Sequence, residues 1–192
     1  MESMTTKQAF ITVKDHKENF ENNLPCRLIN TAKSETGLIS KVILDRINNA
    51  VRTATKVNQW RSTLSVIEWF RNIQNKDKHT FISFDIVEFY PSITRSLLEK
   101  AIAMAKEHTH ISNQDIQIIM HSKKSILFDN GTPWRKKGHI HLFDVTTGSY
   151  DGAEVCELVG LYILNTLEKR IWEGMHRLYR DDGLAVFKHQ RK

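Results

Sequence analysis

The spacing of apolar and polar residues divides the chain into alternating strand-like and helix-like segments. Residues 9–15 and 25–31 flank the polar loop 17–23, and this arrangement predicts a β-hairpin. Apolar residues then recur at helical intervals from Ile39 onward, which predicts one long amphipathic helix. Its apolar positions are Ile43, Ile47, Ala50, Ala54 and Val57.

Further helices are predicted where a capping residue precedes a periodic apolar segment. A short helix after Ser62 would carry Leu64, Ile67, Phe70 and Ile73 on one face. Thr94 is placed to cap a second helix, and Ser112 begins a third. A long and largely buried helix is expected after Asp151, with apolar residues at Val155, Leu158, Val159, Tyr162, Ile163 and Leu167.

Three aspartates lie at the ends of predicted strands. Asp85 is near the end of residues 81–86, which are rich in β-branched and aromatic residues, as expected of a buried strand. Residues 177–180 run into Asp181 and Asp182, and residues 183–187 follow, which is the pattern of a hairpin with the acids at its turn. Adjacent antiparallel strands would bring the three carboxylates together. Residues 124–145 predict another hairpin, with Asn130-Gly131 as its turn.

Three clustered carboxylates are suited to hold divalent cations. Such hard cations take oxygen ligands and Mg²⁺ keeps several waters, so the protein need supply only a few carboxylates. Two ions roughly 4 Å apart neutralise the attacking and leaving oxygens of a phosphoryl transfer. The alternative is that Asp181, Asp182 and Gly183 form only a hairpin turn, because Asp and Gly are favoured in turns.

Four sequence blocks, which follow one another as they do in the reverse transcriptases, resemble that family. Residues 84–93 resemble motif A of that family, residues 179–182 its motif C, and residues 147–152 lie where motif B belongs. Lys14-Asp15 and residues 25–30 resemble its two fingers strands, and parts of the chain look most like retroelement enzymes, near the Penelope-like group. The resemblance implies an α/β (α+β) right-hand polymerase, with fingers in residues 1–79 and a palm in residues 80–192. The palm is expected to have a ferredoxin-like antiparallel sheet backed by helices. The thumb is expected to be absent, because the chain ends ten residues after Asp182.

The resemblance also implies an RNA-directed DNA polymerase that adds deoxynucleotides to a DNA primer on an RNA template. Asp85, Asp181 and Asp182 would be the catalytic metal ligands, with Ile86 beside them, for two Mg²⁺ ions or Mn²⁺. The nucleotide-binding positions carried over are Lys14, Arg27, Tyr90 and Gly152. A thumb or an endonuclease could lie elsewhere in the element.

The nucleotide-binding positions have physical reasons as well as alternatives. An aromatic ring at Tyr90 would clash with a ribonucleotide 2′-hydroxyl, although Tyr90 could instead be a core tyrosine. Glycine at 152 would let the backbone approach a nucleotide closely. Arg27 offers a fork of donors to phosphate oxygens, and Lys14 offers a charge, but either could be an ordinary surface residue.

Motif B departs from the family at two positions. Many reverse transcriptases have glutamine where this chain has Asp151, and a small residue or proline where it has Glu154. The spacing of these two acids is that of a helix capping box, which is a sufficient structural interpretation. The role of the family's glutamine is therefore not carried over to Asp151.

Composition agrees with a nucleic-acid partner. The net charge is +6, and residues 1–80 hold 13 Lys and Arg against 8 Asp and Glu, while residues 81–192 hold 15 against 14. A basic fingers region beside an acidic metal site suits a polymerase, but a solvated basic surface would look the same. Residues 134–137 (Trp-Arg-Lys-Lys) could contact a phosphate backbone or form a solvated loop.

Other function classes are less favoured by the sequence. No apolar run is long enough to cross a bilayer and no signal peptide is visible, so we expect an intracellular protein, nuclear or cytoplasmic, with no membrane partner. Cys26 and Cys156 lack metal-ligand spacing and are expected to be reduced. A nucleotidyl cyclase would have a Gly-Gly-acid turn. The main alternative to a polymerase is a non-catalytic, nucleic-acid-binding remnant of one.

Overall fold

The computed structural model describes residues 9–13, 26–29, 34–57, 59–60, 62–124, 127–129, 132–134, 142–170 and 174–188. Its helices are α1 (Glu35–Thr55), α2 (Thr63–Asn72), α3 (Phe89–Ser92), α4 (Arg95–Lys106), α5 (Asn113–Ser122) and α6 (Gly152–Arg170), with a 3₁₀ turn at Lys76–Lys78. Its strands are β1 (Phe10–Val13), β2 (Cys26–Ile29), β3 (His79–Asp85), β4 (Leu127–Asp129), β5 (Thr132–Trp134), β6 (Gly174–Tyr179) and β7 (Asp182–Lys188). The predicted mixed α/β class is confirmed.

Local sequence signals set the starts of four helices. The hydroxyl of Thr94 accepts from the Leu97 amide at 3.2 Å, so Thr94 caps α4 as expected. Ser62 and Ser112 form reciprocal capping boxes at α2 and α5. Ser34 caps α1 by accepting from the Gly37 amide at 3.0 Å. The long helix therefore begins four residues before the predicted Ile39.

The buried stripe of α1 differs from the predicted one. Leu44, Ile47 and Val51 are fully buried, whereas Ala54 is exposed. The reason is that α1 packs against both α5 and α6, so its buried face is set by the groove between them. That face also contains small and polar residues, namely Gly37, Ser40 and Asn48.

Helix α2 is present where the pattern predicts it, but its apolar face is largely exposed. Leu64, Ile67 and Phe70 are 61%, 41% and 42% exposed, and of the predicted face only Ile73 is buried. The aromatic contacts of α2 lie on two sides, because the Trp69 ring meets Trp60 edge-on at 5.0 Å and the Phe70 ring meets Phe81 of β3 at 5.4 Å. Periodicity showed the helix but not which side would be covered.

Three antiparallel strands form the sheet that carries the predicted site. Their order is β3, β7, β6, and α6 packs against β6. Separate two-stranded hairpins are formed by β1 with β2 and by β4 with β5. The hairpins predicted within residues 9–31, 124–145 and 177–187 are all confirmed, while the loop at 17–23 and the Asn130-Gly131 turn lie outside the described residues.

One hydrophobic core joins residues from both predicted regions. It includes Leu44, Ile47 and Val51 of α1 together with residues of α4, α5 and α6. Helix α1 falls in the predicted fingers region, so the boundary at residue 80 stays a prediction. Within the described ranges, no helix is both long and apolar enough to cross a membrane.

Candidate active site

Three aspartates lie at one end of the three-stranded sheet. Asp85, the last residue of β3, is the direct cross-strand partner of Asp182, the first residue of β7. Asp181 occupies the turn between β6 and β7, and its carbonyl accepts from the Ile86 amide at 2.9 Å. All three aspartates are exposed, so the structure brings the predicted metal ligands to one accessible edge.

The electrostatics of this edge favour a cation. Like charges directly opposite each other on neighbouring strands repel, and Asp85 faces Asp182 in this way. Among the described residues, none of the ion pairs includes Asp85, Asp181 or Asp182. Within the same residues, no group of three or more His, Cys, Asp or Glu side chains is gathered closely enough to hold a metal ion. The facing pair is therefore the part of the predicted ligand set that fits a hard cation.

The turn itself does not follow the simple Asp-Gly interpretation. Its two loop residues are Arg180 and Asp181, and Arg180 has a φ of 58°, in the left-handed region. A non-glycine residue there is uncommon and marks a conformation that the surrounding structure must enforce. Gly183 lies inside β7, so it serves the strand and not the turn.

Gly183 is required by an aromatic ring on the neighbouring strand. It is the cross-strand partner of Phe84, and a Cβ atom on Gly183 would overlap the Phe84 ring. Phe84 also packs against the hydrophobic core, which limits how far the ring can move. The glycine therefore lets β3 and β7 pair closely just before Asp85 and Asp182.

We expect Gly183→Ala to lower the free energy of unfolding by about 1–3 kcal/mol, the usual cost of overpacking. Urea denaturation measures this directly. Combining Gly183→Ala with Phe84→Leu should recover part of the loss, because the clashing ring is then gone. An alanine variant as stable as the wild type would show that Phe84 can move aside freely.

Tyr90 lies on α3 and packs across the start of α6. Its Cε1 atom is 3.3 Å from the position that a Cβ on Gly152 would take. Burial, and after it the nearby Cys156 thiol, raises the pKa of Tyr90 to about 12. Tyr90 therefore keeps its hydroxyl proton at neutral pH. Arg180 lies with Asp181 in the turn between β6 and β7, the carboxylate turn, and its charge partly lowers the pKa of Tyr90.

Gly152 is buried beneath this ring. A Cβ there would lie 2.9 Å from the Thr146 carbonyl and 2.8 Å from the Ser149 hydroxyl. The glycine thus permits the close approach of the preceding loop and of Tyr90, while the predicted approach of a nucleotide stays a prediction.

Asp151 and Glu154 do not act as the predicted capping box. Instead, Asp151 forms a fully buried ion pair with Lys123, the residue that follows α5, and Glu154 pairs with Lys41 of α1. The Ser122 hydroxyl also donates to Asp151 at 2.7 Å. Burial lowers the pKa of Lys123, and the charge of Asp151 opposes that shift. The capping prediction is wrong because each carboxylate forms an ion pair with a lysine outside α6.

The predicted phosphate contact that the structure describes is not part of this edge. Arg27 is exposed on β2, in a different sheet. Lys14 and the basic residues 135–137 lie outside the described residues, as does the side chain of Trp134. Within the described residues Cys26 and Cys156 form no disulfide, and Cys26 is exposed while Cys156 is buried.

Sequence reasoning missed the role of Lys123, the buried partner of Asp151. The sequence carried no signal for this role, because a lysine at the end of a helix is usually solvated.

Comparison with solved structures identifies the fold. A telomerase from Candida tropicalis, truncated from its C-terminal domain and without ligand, superposes with a TM-score of 0.61 at 16% sequence identity. The match covers 88% of this chain, which spans 41% of the telomerase chain. A telomerase from Candida albicans, in complex with a fragment of telomeric RNA, gives a TM-score of 0.43 at 14% identity, covering 79% and 30%.

Sequence comparison adds no family assignment, since no protein-family model and no curated protein matches the chain. The fold conclusion rests on the first telomerase, a polymerase related to the reverse transcriptases. The chain therefore has a reverse-transcriptase-like polymerase fold, compatible with fingers and palm.

Proposed function

We propose that this chain is the fingers and palm part of an RNA-directed DNA polymerase. The observation that carries the proposal is the facing pair of Asp85 and Asp182 with Asp181 in the adjoining turn, at the sheet edge of a reverse-transcriptase-like fold. The substrates in this proposal are an RNA template, a DNA primer and deoxynucleoside triphosphates.

In the proposed reaction, Asp85, Asp181 and Asp182 would hold two Mg²⁺ ions, for which Mn²⁺ could substitute, with Ile86 beside them. Bound there, the ions would neutralise the attacking 3′-hydroxyl oxygen and the leaving phosphate oxygens. The chain's own contribution is rigidity. The Ile86 amide holds the Asp181 carbonyl, and the pairing of β3 with β7 keeps Asp85 opposite Asp182. Such prior positioning supplies much of the barrier reduction in a two-substrate reaction.

The direct test is primer extension by the purified chain. A labelled DNA primer annealed to RNA should grow when deoxynucleotides and Mg²⁺ are present, and it should stay unextended when the metal is chelated. A DNA template in parallel measures template preference. Extension that continues in excess chelator would contradict the metal assignment.

Tyr90 is the proposed sugar-selecting residue, supported by its place at Gly152 close to Arg180 of the carboxylate turn. We expect Tyr90→Ala to reduce the preference for deoxynucleotides over ribonucleotides about 100-fold, within the range that a pocket wall can provide. The ratio of kcat/KM for the two nucleotides measures this. Tyr90→Phe is the matched control and should keep most of the preference, because it retains the ring.

A retroelement origin, near the Penelope-like group, remains part of the proposal on the strength of the sequence resemblance. Arg27 and Lys14 are proposed phosphate contacts on the same basis. Both residues belong to the more basic first part of the chain, since residues 1–80 contain 13 Lys and Arg but only 8 Asp and Glu.

The second candidate is a non-catalytic nucleic-acid-binding protein derived from such a polymerase. It is favoured by the lack, among the described side chains, of a three-residue cluster that could hold a metal. RNA and DNA binding that weakens steeply with salt, without any Mg²⁺-dependent extension, would identify it.

A further inference from the structure

Lys123 holds both ends of the segment that leads into Gly152. At one end, its backbone carbonyl accepts from the Asp144 amide at 2.8 Å. At the other end, its ammonium group forms the buried ion pair with Asp151. The residue that follows α5 therefore closes residues 144–151 into a loop, the 144–151 loop.

The Asp151 end of this loop is also tied to the neighbouring helices. The Ser122 hydroxyl of α5 donates to the Asp151 carboxylate at 2.7 Å, and the Ser122 and Ser40 hydroxyl oxygens lie 3.2 Å apart, which brings in α1. The Asp151 carbonyl accepts from the Val155 amide at 3.0 Å, in the first turn of α6. Asp151 thus fixes the start of α6 relative to α5 and α1.

The loop and the Tyr90 ring supply the atoms nearest to the free side of Gly152. A Cβ atom there would lie 2.9 Å from the Thr146 carbonyl, 2.8 Å from the Ser149 hydroxyl and 3.3 Å from Cε1 of Tyr90. The Ser149 hydroxyl in turn donates to the Thr146 carbonyl at 3.0 Å, so these two residues move together. The position of the 144–151 loop therefore sets how much space remains at Gly152, a proposed nucleotide contact.

Stability alone does not account for an ion pair at this place. Both side chains are 1% exposed, and a buried ion pair usually stabilises no better than apolar residues of similar size. What the pair adds is direction, because charge-assisted hydrogen bonds have a specific geometry whereas apolar packing is non-directional. Asp151 is also too buried to contact a nucleotide, although many reverse transcriptases have glutamine at this position.

We propose that Lys123 and Asp151 are positioning residues for nucleotide binding: their ion pair holds the 144–151 loop where it leaves room for a deoxynucleoside triphosphate beside Gly152. This inference rests on the proposed function, and it adds two residues that do not touch the nucleotide. Without the pair the loop takes several positions. If the competent position is then occupied about a tenth of the time, the apparent dissociation constant rises about tenfold.

The experiment separates loop position from stability by replacing the whole pair with apolar residues. Lys123→Met with Asp151→Leu removes both charges, and the Ser122 hydroxyl keeps the Ile119 carbonyl as an acceptor at 2.7 Å. The urea midpoint of this apolar variant should equal or exceed that of the wild type. Amide hydrogen exchange over residues 144–155 then reports loop position.

Nucleotide affinity is measured on the same samples as the dissociation constant for dGTP. The chain is mixed with Mg²⁺ and a dideoxy-terminated DNA primer on an RNA template whose next base is cytosine. The terminated primer prevents turnover, so the measurement reports binding alone.

The apolar variant is expected to bind dGTP about tenfold more weakly and to exchange the amides of residues 144–155 at least about tenfold faster. Exchange in β7 should stay at the wild-type rate. Arg46→Met is the matched control, because Arg46 pairs with Asp115 at 2.9 Å and joins α1 to α5 without including the loop. It should leave both measurements unchanged.

An apolar variant that keeps either the wild-type exchange rate or the wild-type dGTP affinity would overturn the inference. So would an equal loss of affinity in Arg46→Met, because any weakened helix contact would then explain it. If the apolar variant does not fold, Lys123→Met with Asp151→Asn takes its place under the same criteria. A wild-type chain that does not bind dGTP would instead contradict the proposed function, and that result appears before any change to the pair.

Discussion

Asp181→Asn is expected to lower the efficiency of Mg²⁺-dependent primer extension by at least about a thousandfold. The substitution keeps the size of the side chain and the turn, but it removes one negative charge where hard cations require carboxylate oxygens. Charge stabilisation of several kcal/mol by the ions converts to a loss of this size. Asp85→Asn and Asp182→Asn should behave alike if the three residues form one site.

A second measurement separates loss of metal binding from loss of folding. Mg²⁺ that binds only the folded chain should raise the thermal midpoint of the wild type, and Asp181→Asn should weaken this rise. In the absence of metal, Asp85→Asn should stabilise the chain by about 0.2–1 kcal/mol, because it removes the repulsion from Asp182.

Asp77→Asn is the matched control. Asp77 is an exposed acid in the 3₁₀ turn just before β3, and Asp85 ends the same strand. Its substitution should leave both extension and the Mg²⁺ effect unchanged. If the extension efficiency of Asp181→Asn is within about tenfold of the wild-type value, the metal assignment is contradicted and the binding-protein alternative is favoured.

Lys123→Met is expected to cost about 3–5 kcal/mol of folding free energy, the largest stability effect that we expect in this chain. Both side chains of the Lys123–Asp151 pair are 1% exposed. Removing the lysine leaves a buried carboxylate with the Ser122 hydroxyl as its described donor. The pair also joins the end of α5 to the start of α6, so its loss should loosen the loop that leads into Gly152.

Urea denaturation of three variants tests this account. The double variant Lys123→Met with Asp151→Asn removes both charges and keeps an acceptor for Ser122, so it should recover most of the stability. Arg95→Ala is the control for an exposed pair, because Arg95 and Glu99 are 63% and 49% exposed, and it should cost less than about 0.5 kcal/mol. A Lys123→Met cost below about 1 kcal/mol would show that Asp151 finds another partner or becomes protonated.

The helices and strands could be predicted because their signals are local. Thr94, Ser112 and Ser62 each cap the helix that the apolar spacing predicts. The sequence also predicted Asp85 at the end of an aromatic-rich strand, and Asp181 and Asp182 within a hairpin. Pairing β3 with β7 then places the aspartates together, because cross-strand partners share one face of a sheet.

Glycine and acidic residues were harder to interpret, because their local preferences fit several roles. Gly183 resembles a turn glycine in sequence, yet it lies in β7 beneath Phe84. Asp151 and Glu154 have the spacing of a capping box, yet they pair with Lys123 and Lys41. In each case a residue distant in the sequence decides the role.

By itself, the sequence determined most helices and strands of this protein and the three aspartates that lie at its sheet edge, since both depend on spacing along the chain. The tertiary structure decided which face of α1 is buried, which glycines lie under rings, and that Tyr90 packs at Gly152. It also decided that Lys123 and Asp151, 28 positions apart, meet in the core. These contacts depend on how helices pack against one another, and packing depends on the fit of whole surfaces, which no local pattern contains.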